Sequence, residues 1–350
     1  MGPFVDHERQ FCYATLRMKL SILCQSPVVE GRSAAQAVRE TVALARAAEA
    51  LGYHRVWVAE HHRDRALASA SPEVMISHLA SITRRMRIGS GGVLLPYYSP
   101  LKVAEQFNLL EVLFPGRIDL GLGRAGGSEG RAPQALNVRT DHGPPFADVD
   151  ELLTWLGPGT AQRKYPEVFA APGPARATPV WILGSSPASA RYAAERGLPY
   201  AFGAFLDPRH MLAALSTYHQ YFQPSRTLAR PHVILAWFAI IGESEQDARR
   251  QAASSEAWFV DTFLRGHNHP FPAAETALAA SHGPQEQAML LMKRQACSVG
   301  TADQVLDQLR GLCQRFAVDE VMVVSITDDP AARLRGYALL AAAAGLAAAA

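Results

Sequence analysis

Apolar positions along this chain fall into two alternating rhythms. Short runs rich in β-branched and aliphatic residues occur at Lys19–Leu23, Arg55–Val58, Ile88–Leu95, Ile118–Leu122, Val180–Leu183, Tyr200–Phe202, His232–Ile241 and Glu320–Ser325. Such runs read as strands buried on both faces. Between them, apolar residues recur at the spacing of amphipathic helices over Ala34–Leu51, Pro72–Thr83, Leu101–Phe114, Ala188–Arg196, Arg209–Phe222, Glu245–Leu264 and Ala302–Phe316. Punctuation agrees: Ser71-Pro72-Glu73 sets an N-cap serine before a proline at the first helical position. Gly52 and Gly197 stand where a helix must stop before the next strand. Eight β segments, each followed by a helix or a long excursion, predict an α/β protein with a (β/α)8 (TIM) barrel fold more than an open sheet. Two gaps break the rhythm, 124–178 (with a short helix at Asp148–Leu156) and 265–298 (with a helix near Gln285–Cys297). Insertions of this size at the C-terminal ends of strands act as lids or substrate walls.

Composition narrows the class. The alternation fills residues 18–345 as one barrel, and residues 1–17, ahead of Met18, read as an N-terminal extension. With 34 basic and 32 acidic residues the formal charge is +2, so no bulk field argues for nucleic acid or a membrane surface. No apolar run approaches the ~20 residues of a bilayer span. The alanine-rich end, LLAAAAGLAAAA, reads as a fraying helix tail. Cys12, Cys24, Cys297 and Cys313 lie far apart with no CxxC spacing, which fits reduced thiols in a cytoplasmic protein.

Candidate chemistry sits at the strand exits. Trp57–Asp64 (WVAEHHRD) ends one strand with Glu60, His61 and His62, either an acid/base group at a barrel mouth or a polar strand end held by loop hydrogen bonds. Strand alternation would point the two histidines to opposite sides. A metal there would need a third ligand, for which His54 and His78 are available. Gly121-Leu-Gly123-Arg-Ala-Gly126 spells GxGxxG but continues into more glycine and proline rather than into a helix, so a dinucleotide fingerprint is rejected. Arg124 remains a candidate phosphate partner. Leu183-Gly-Ser-Ser-Pro-Ala-Ser189 opens a helix with Ser185, Ser186 and Ser189, either an anion site or ordinary serine capping. Gly89-Ser90-Gly91-Gly92 inside a strand run calls for a bulge or for close approach of backbone to a ligand.

In RVWVAEHH, IGSGGVLLPYYSPLKVAEQFNLLEVLFPGRIDLGLGR, WILGSSPASARYAAERGLP and AARLRGYALL, the chain resembles the bacterial luciferase-like flavin monooxygenases, from about Met18 to Gly345. Within that family it looks most like tailoring enzymes of actinomycete polyketide pathways. The resemblance implies a barrel that binds FMN, as FMNH2, at the strand C-termini. It implies a non-prolyl cis peptide at Gly91–Gly92 against the flavin ring, with O2 as co-substrate and a C4a-peroxyflavin as oxidant. It makes His61 the catalytic histidine and His62 its neighbour, Glu60 a flavin-pocket residue, and Arg124, Ser186 and Ser189 the phosphate site. Ser185 and Gly203 complete the expected cofactor contacts, with no metal. A separate NAD(P)H:flavin reductase, a small organic substrate and a homodimer are the implied partners. Departures are specific: Gly123 replaces the cysteine of luciferases, Ser185 replaces a glutamate, and Gly130 with adjacent Glu129 replaces an acid. Oxygenation of a substrate other than long aldehydes follows. The rival readings are a deazaflavin (F420)-dependent hydride-transfer enzyme, a non-catalytic flavin-binding protein and a metal-dependent hydrolase using His61 and His62.

Overall fold

In a computed structural model, the residues described are 18–123, 132–136, 145–157, 165–174 and 176–347. The strands are β1 (Lys19–Cys24), β2 (Arg55–Val58), β3 (Arg87–Ser90), β4 (Val93–Leu94), β5 (Ile118–Gly123), β6 (Val180–Gly184), β7 (Tyr200–Gly203), β8 (Val233–Ile241), β9 (Cys297–Gly300) and β10 (Glu320–Val324). Parallel pairing runs β10-β1-β2-β3-β5-β6-β7-β8, and β8 closes on β10. This is the (β/α)8 barrel predicted from the apolar rhythm, and all eight predicted runs supply staves. β4 extends the β3 side against β5, and β9 adds to the far half of β8, Phe238–Ile241.

Side-chain alternation sorts the strands into two packed layers. Ile22, Val56, Val58, Ile88, Ile118, Leu120 and Ile182 join the surrounding helices in one large core. Leu23, Trp57, Ala59, Trp181, Ala201, Ile234, Ala236, Met322 and Val324 form a second cluster from the opposite strand faces, filling the barrel. Helix ends follow the punctuation. Ser33 caps Ala34–Ala50 with a capping box, and Gly52 and Gly197 take positive φ after their helices. Ser71 occupies the N-cap position before Pro72, yet its side chain makes no capping bond.

Four sequence expectations need correction. The run Ile88–Leu95 is not one strand but is broken at the Gly91–Gly92 peptide, which is cis as the resemblance implies. The helix read near Gln285–Cys297 ends at Gln295, and Cys297 instead opens the strand β9, CSVG. The C-terminal helix Pro330–Ala343 is a packed element. It buries Tyr337, Leu340 and Ala341, and Leu346 beyond it packs on the core, so the alanine-rich end is docked through the described residues rather than frayed. Gly89 has a packing cause and needs no ligand: a Cβ there would lie 2.6 Å from Asp119 Cβ and 2.7 Å from Trp57 Nε1. Residues 1–17 and 124–131 lie outside the described residues. Among those described, no helix is long and apolar enough to cross a membrane, and Cys24, Cys297 and Cys313 are free thiols.

The barrel carries an ionic layer at its N-terminal end. Arg55 donates from Nε and Nη2 to the two oxygens of Glu320 (2.7 and 3.0 Å) and from Nη1 to Asp119 Oδ2 (2.6 Å). Arg87, Trp57 Nε1 and the Ser21 hydroxyl saturate the remaining carboxylate positions. Burial pushes both carboxyls up, but Arg55 outweighs it and holds Asp119 and Glu320 below their ordinary range. With folded values depressed, this stabilisation is complete above the unfolded carboxylate range of about 4 and is lost as pH falls toward the folded values. Arg55→Met should cost about 3–5 kcal/mol, because it leaves two buried carboxylates without their shared cation. Urea denaturation at neutral pH checks this, and a loss under about 1 kcal/mol would show the layer to be dispensable.

Candidate active site

Glu60, His61 and His62 follow β2, and their neighbours are the exits of β1 and β3. Glu60 is buried, and both oxygens are used: Oε2 accepts the Leu94 N–H (2.8 Å), while Oε1 accepts the Tyr98 hydroxyl (2.7 Å) and meets His62 Nε2 at 2.7 Å. Glu60 therefore ties the β2 exit to the turn just beyond Gly91–Gly92, and the His62 ring lies edge-on to Tyr97. The two histidines are loop residues past the end of β2 and have different partners, Gln25 for His61 and Glu60 for His62. The Gly91 N–H donates to Val58 O (2.8 Å), holding the diglycine against β2. A Cβ on Gly91 would come within 2.6 Å of Leu23 Cδ1, and one on Gly92 within 2.8 Å of Gly121 O. A larger residue at Gly92 would have to move backbone, and one at Gly91 would have to displace the Leu23 side chain.

His61 is set differently. Its backbone N–H donates to Ser69 O (2.6 Å), and the Gln25 amide nitrogen comes to 3.5 Å from its Nε2, at the outer limit of a hydrogen bond. The ring Nδ1 is buried and has no hydrogen-bond partner. Burial, with the charge of His62 adding, lowers the His61 pKa to about 4. The ring is therefore neutral at physiological pH, with an unpartnered ring nitrogen at the barrel mouth.

The serine loop forms a second group. Ser186 caps the helix Pro187–Glu195, its Oγ accepting the Ser189 N–H (3.3 Å). The Ser189 hydroxyl donates to Ser186 O (2.8 Å) and lies 3.1 Å from the Tyr200 hydroxyl. Capping, the plainer alternative, thus accounts for Ser186 and Ser189 in this conformation, while Ser185 sits in the loop between β6 and the helix. Gly203 ends β7, where a Cβ would meet Leu206 at 3.3 Å. Leu183 of β6 bridges the two groups, its Cδ2 standing 3.0 Å from the Cβ position of Gly92. Arg124 lies outside the described residues. His54 precedes β2 at the opposite end of the barrel and His78 lies on the outer helix Pro72–Ile82, so neither joins His61 and His62 as a metal ligand.

One wall of the mouth is apolar: Val29, Ala66, Leu67, Phe271 and Ile326 pack together with Phe238 and Trp258. Phe271 belongs to the 265–298 insertion and pairs by backbone bonds with Val28 and Glu30 in the loop after β1. Gln25, Tyr98 and Tyr200 escaped the sequence reading. Gln25, the first polar residue after β1, carried a usable signal in that position. Tyr98 acts through Glu60, 38 positions away, and Tyr200 through Ser189, 11 positions away. If His61 is buried and neutral, its ring proton resonances should titrate near pH 4 by NMR, and a midpoint near 6.5 would contradict this setting.

Comparison with known proteins agrees with this architecture. The family model described as "Luciferase-like monooxygenase" matches residues 18–320. The chain is 42% identical over 333 residues to the uncharacterized protein YwcH of Bacillus subtilis, covering 92% of this chain and 98% of the relative. It is 39% identical over 323 residues to a luciferase-like monooxygenase of Escherichia coli K12, covering 91% and 95% respectively. The crystal structure of apo-MsnO8 superposes with a TM-score of 0.87 at 36% identity, covering 95% of this chain and 99% of that one. The chain belongs to the luciferase-like monooxygenase family.

Proposed function

We propose that this protein is the oxygenase component of a two-component flavin monooxygenase. It would take reduced FMN from a separate NAD(P)H:flavin reductase and use O2 to oxygenate an organic metabolite, in the first instance an aromatic polyketide intermediate. The observation that carries this reading is the pairing, at adjacent strand exits, of a neutral imidazole with an unpartnered ring nitrogen and a diglycine closely packed by Leu23 and the Gly121 backbone. An orphaned buried ring nitrogen beside bare backbone fits a flat heteroaromatic ring with polar edge atoms. Across Leu183, the nine-residue helix Pro187–Glu195 presents a serine-rich N-terminus, which fits an anionic tail.

Reduced FMN, when bound, supplies the electrons that activate O2. The chain's own residues do the rest. His61 Nδ1, which no protein group occupies, is the atom at which a proton would be given to or taken from the reacting centre. Glu60, with Tyr98, His62 and the Leu94 N–H, fixes the turn that carries Gly91 and Gly92. Arg124, Ser185, Ser186 and Ser189 would hold the phosphate, with a rotation of Ser189 away from its cap, and Gly203 leaves room beside them. The Phe238, Trp258 and Phe271 wall excludes water and favours an apolar, aromatic substrate. The homodimer would form through the helices Pro72–Ile82 and Pro100–Leu113, which together expose Val74, Leu109, Val112 and Leu113.

His61→Ala should leave the affinity for reduced FMN nearly unchanged and cut product formation about 10²–10⁴-fold; undiminished oxygenation in stopped-flow assays with photoreduced FMN would remove its role. Arg124→Ala should weaken FMN binding by about 1.5–3 kcal/mol, the contribution of a hydrogen bond to a charged group. Unchanged affinity there would place the phosphate elsewhere. Reduced FMN oxidised by air at the same rate with and without protein and substrate would favour hydride transfer over oxygenation. Leu109→Glu should shift sedimentation from dimer to monomer; a persistent dimer would move the interface off this face.

A further inference from the structure

Beside the apolar wall, the turn that opens the 265–298 insertion brings together Asp261, His267 and His269, whose ligand atoms all lie within 4.8 Å of one another. We infer that Asp261, His267 and His269 form a divalent-cation site of the Zn2+ type, which locks the insertion onto the loop that follows His62.

Three features of the cluster point to a ligand. The first concerns proton placement. His269 Nδ1 lies 2.8 Å from the Pro270 carbonyl oxygen, which can only accept, so Nδ1 carries the proton. In a neutral ring, Nε2 is then a bare lone pair, and it faces Asp261 Oδ2 at 3.1 Å. Two acceptors at that distance need a proton or a cation between them. An imidazole held by a backbone carbonyl with its other nitrogen aimed at a carboxylate is also how metal-binding histidines are oriented.

The second feature is spacing. Ligand bonds of ~2.0–2.1 Å at tetrahedral angles put neighbouring donor atoms ~3.3 Å apart. Here His269 Nε2 is 3.1 Å from Asp261 Oδ2, and the ligand atoms of all three residues lie within 4.8 Å of one another. His267 is half exposed, and its backbone N–H is anchored to Asp261 O, so its ring can close the gap without moving the chain.

The third is support of the carboxylate. Arg265 Nη1 donates to Asp261 Oδ1 (2.9 Å) and is itself gripped by Glu286 through Nε and Nη2. It neutralises one oxygen while leaving Oδ2 for a cation. Three protein ligands with open positions suit Zn2+ or a neighbouring first-row ion.

The consequence lies in Asn268, between the two histidines. Its side chain donates to Arg63 O (2.7 Å) and accepts the Arg65 N–H (2.8 Å), clasping the loop just after His61 and His62. Ordering the ligands on either side of Asn268 orders that clasp. The test is isothermal titration of the chelator-stripped, full-length protein with ZnCl2, with hydrogen exchange read in parallel and no flavin present. Wild type and His61→Ala should each bind one equivalent. His267→Ala and His269→Gln should each weaken binding by roughly tenfold or more, the loss that even a supporting residue of a metal site typically causes. Since His267 is half exposed, its replacement keeps the fold intact should His269→Gln not. Zinc should also slow exchange over residues 63–67 and 266–271. Absence of stoichiometric binding, affinity unaltered by His267→Ala, or loss of binding in His61→Ala would each overturn the assignment.

Discussion

Everything at the mouth of this barrel is built on one buried guanidinium at the other end. Arg55 joins Glu320 on β10 to Asp119 on β5, and through their remaining oxygens it reaches Ser21 on β1 and Arg87 on β3. Five of the eight staves are thereby held in one register by charge-assisted bonds. The guanidinium also lies 5.7 Å and 4.9 Å from the ring centres of Trp57 and Trp181, so the ionic floor is continuous with the aromatic filling above it. Two positive and two negative side chains balance, which is what allows them to stay ionised in the dry interior.

That floor dictates what the mouth can be. Trp57 and Asp119 take the space a side chain at Gly89 would need, and Leu23 and Trp57 take the space at Gly91. The third strand is forced to be bare backbone where its neighbours carry bulk. It therefore reaches the mouth without side chains to cover it, next to a glutamate that has spent both oxygens on fixing the turn. His61 is left as the polar group with spare hydrogen-bonding capacity at this exit, neutral because it is buried.

Much of this was legible in the chain. All eight staves showed as apolar runs because strands covered on both faces are apolar throughout, and the strand exits stood out by their glycines and histidines. What failed did so for local reasons. CSVG is too short to announce a strand after a helix, and an alanine-rich tail has too little apolar surface to signal that it packs. The interior charges were invisible because Arg55, Asp119 and Glu320 each look like a strand-edge residue, and only barrel closure brings partners 64 and 265 positions apart into contact. Tyr98 reaches Glu60, 38 positions away, only once the β2 and β3 exits lie side by side, whereas Tyr200 meets Ser189 across a single helix–strand step of 11 positions. Gly89 was misread in a useful way: close approach was right, but to a tryptophan and an aspartate rather than a ligand.

The site thus has two halves, a diglycine with a neutral histidine on the β2–β3 side and a serine-capped helix on the β6 side, joined by Leu183. The family defines the barrel, and the chemistry proposed for it requires one ligand to span both halves. A crystal structure of the protein with FMN tests that directly. The account predicts the ring stacked on Gly91–Gly92 within hydrogen-bonding reach of His61 Nδ1, and the phosphate at the N-terminus of Pro187–Glu195. Density for the flavin at any other place on the barrel, or a ring with His61 Nδ1 still unpartnered, would contradict it.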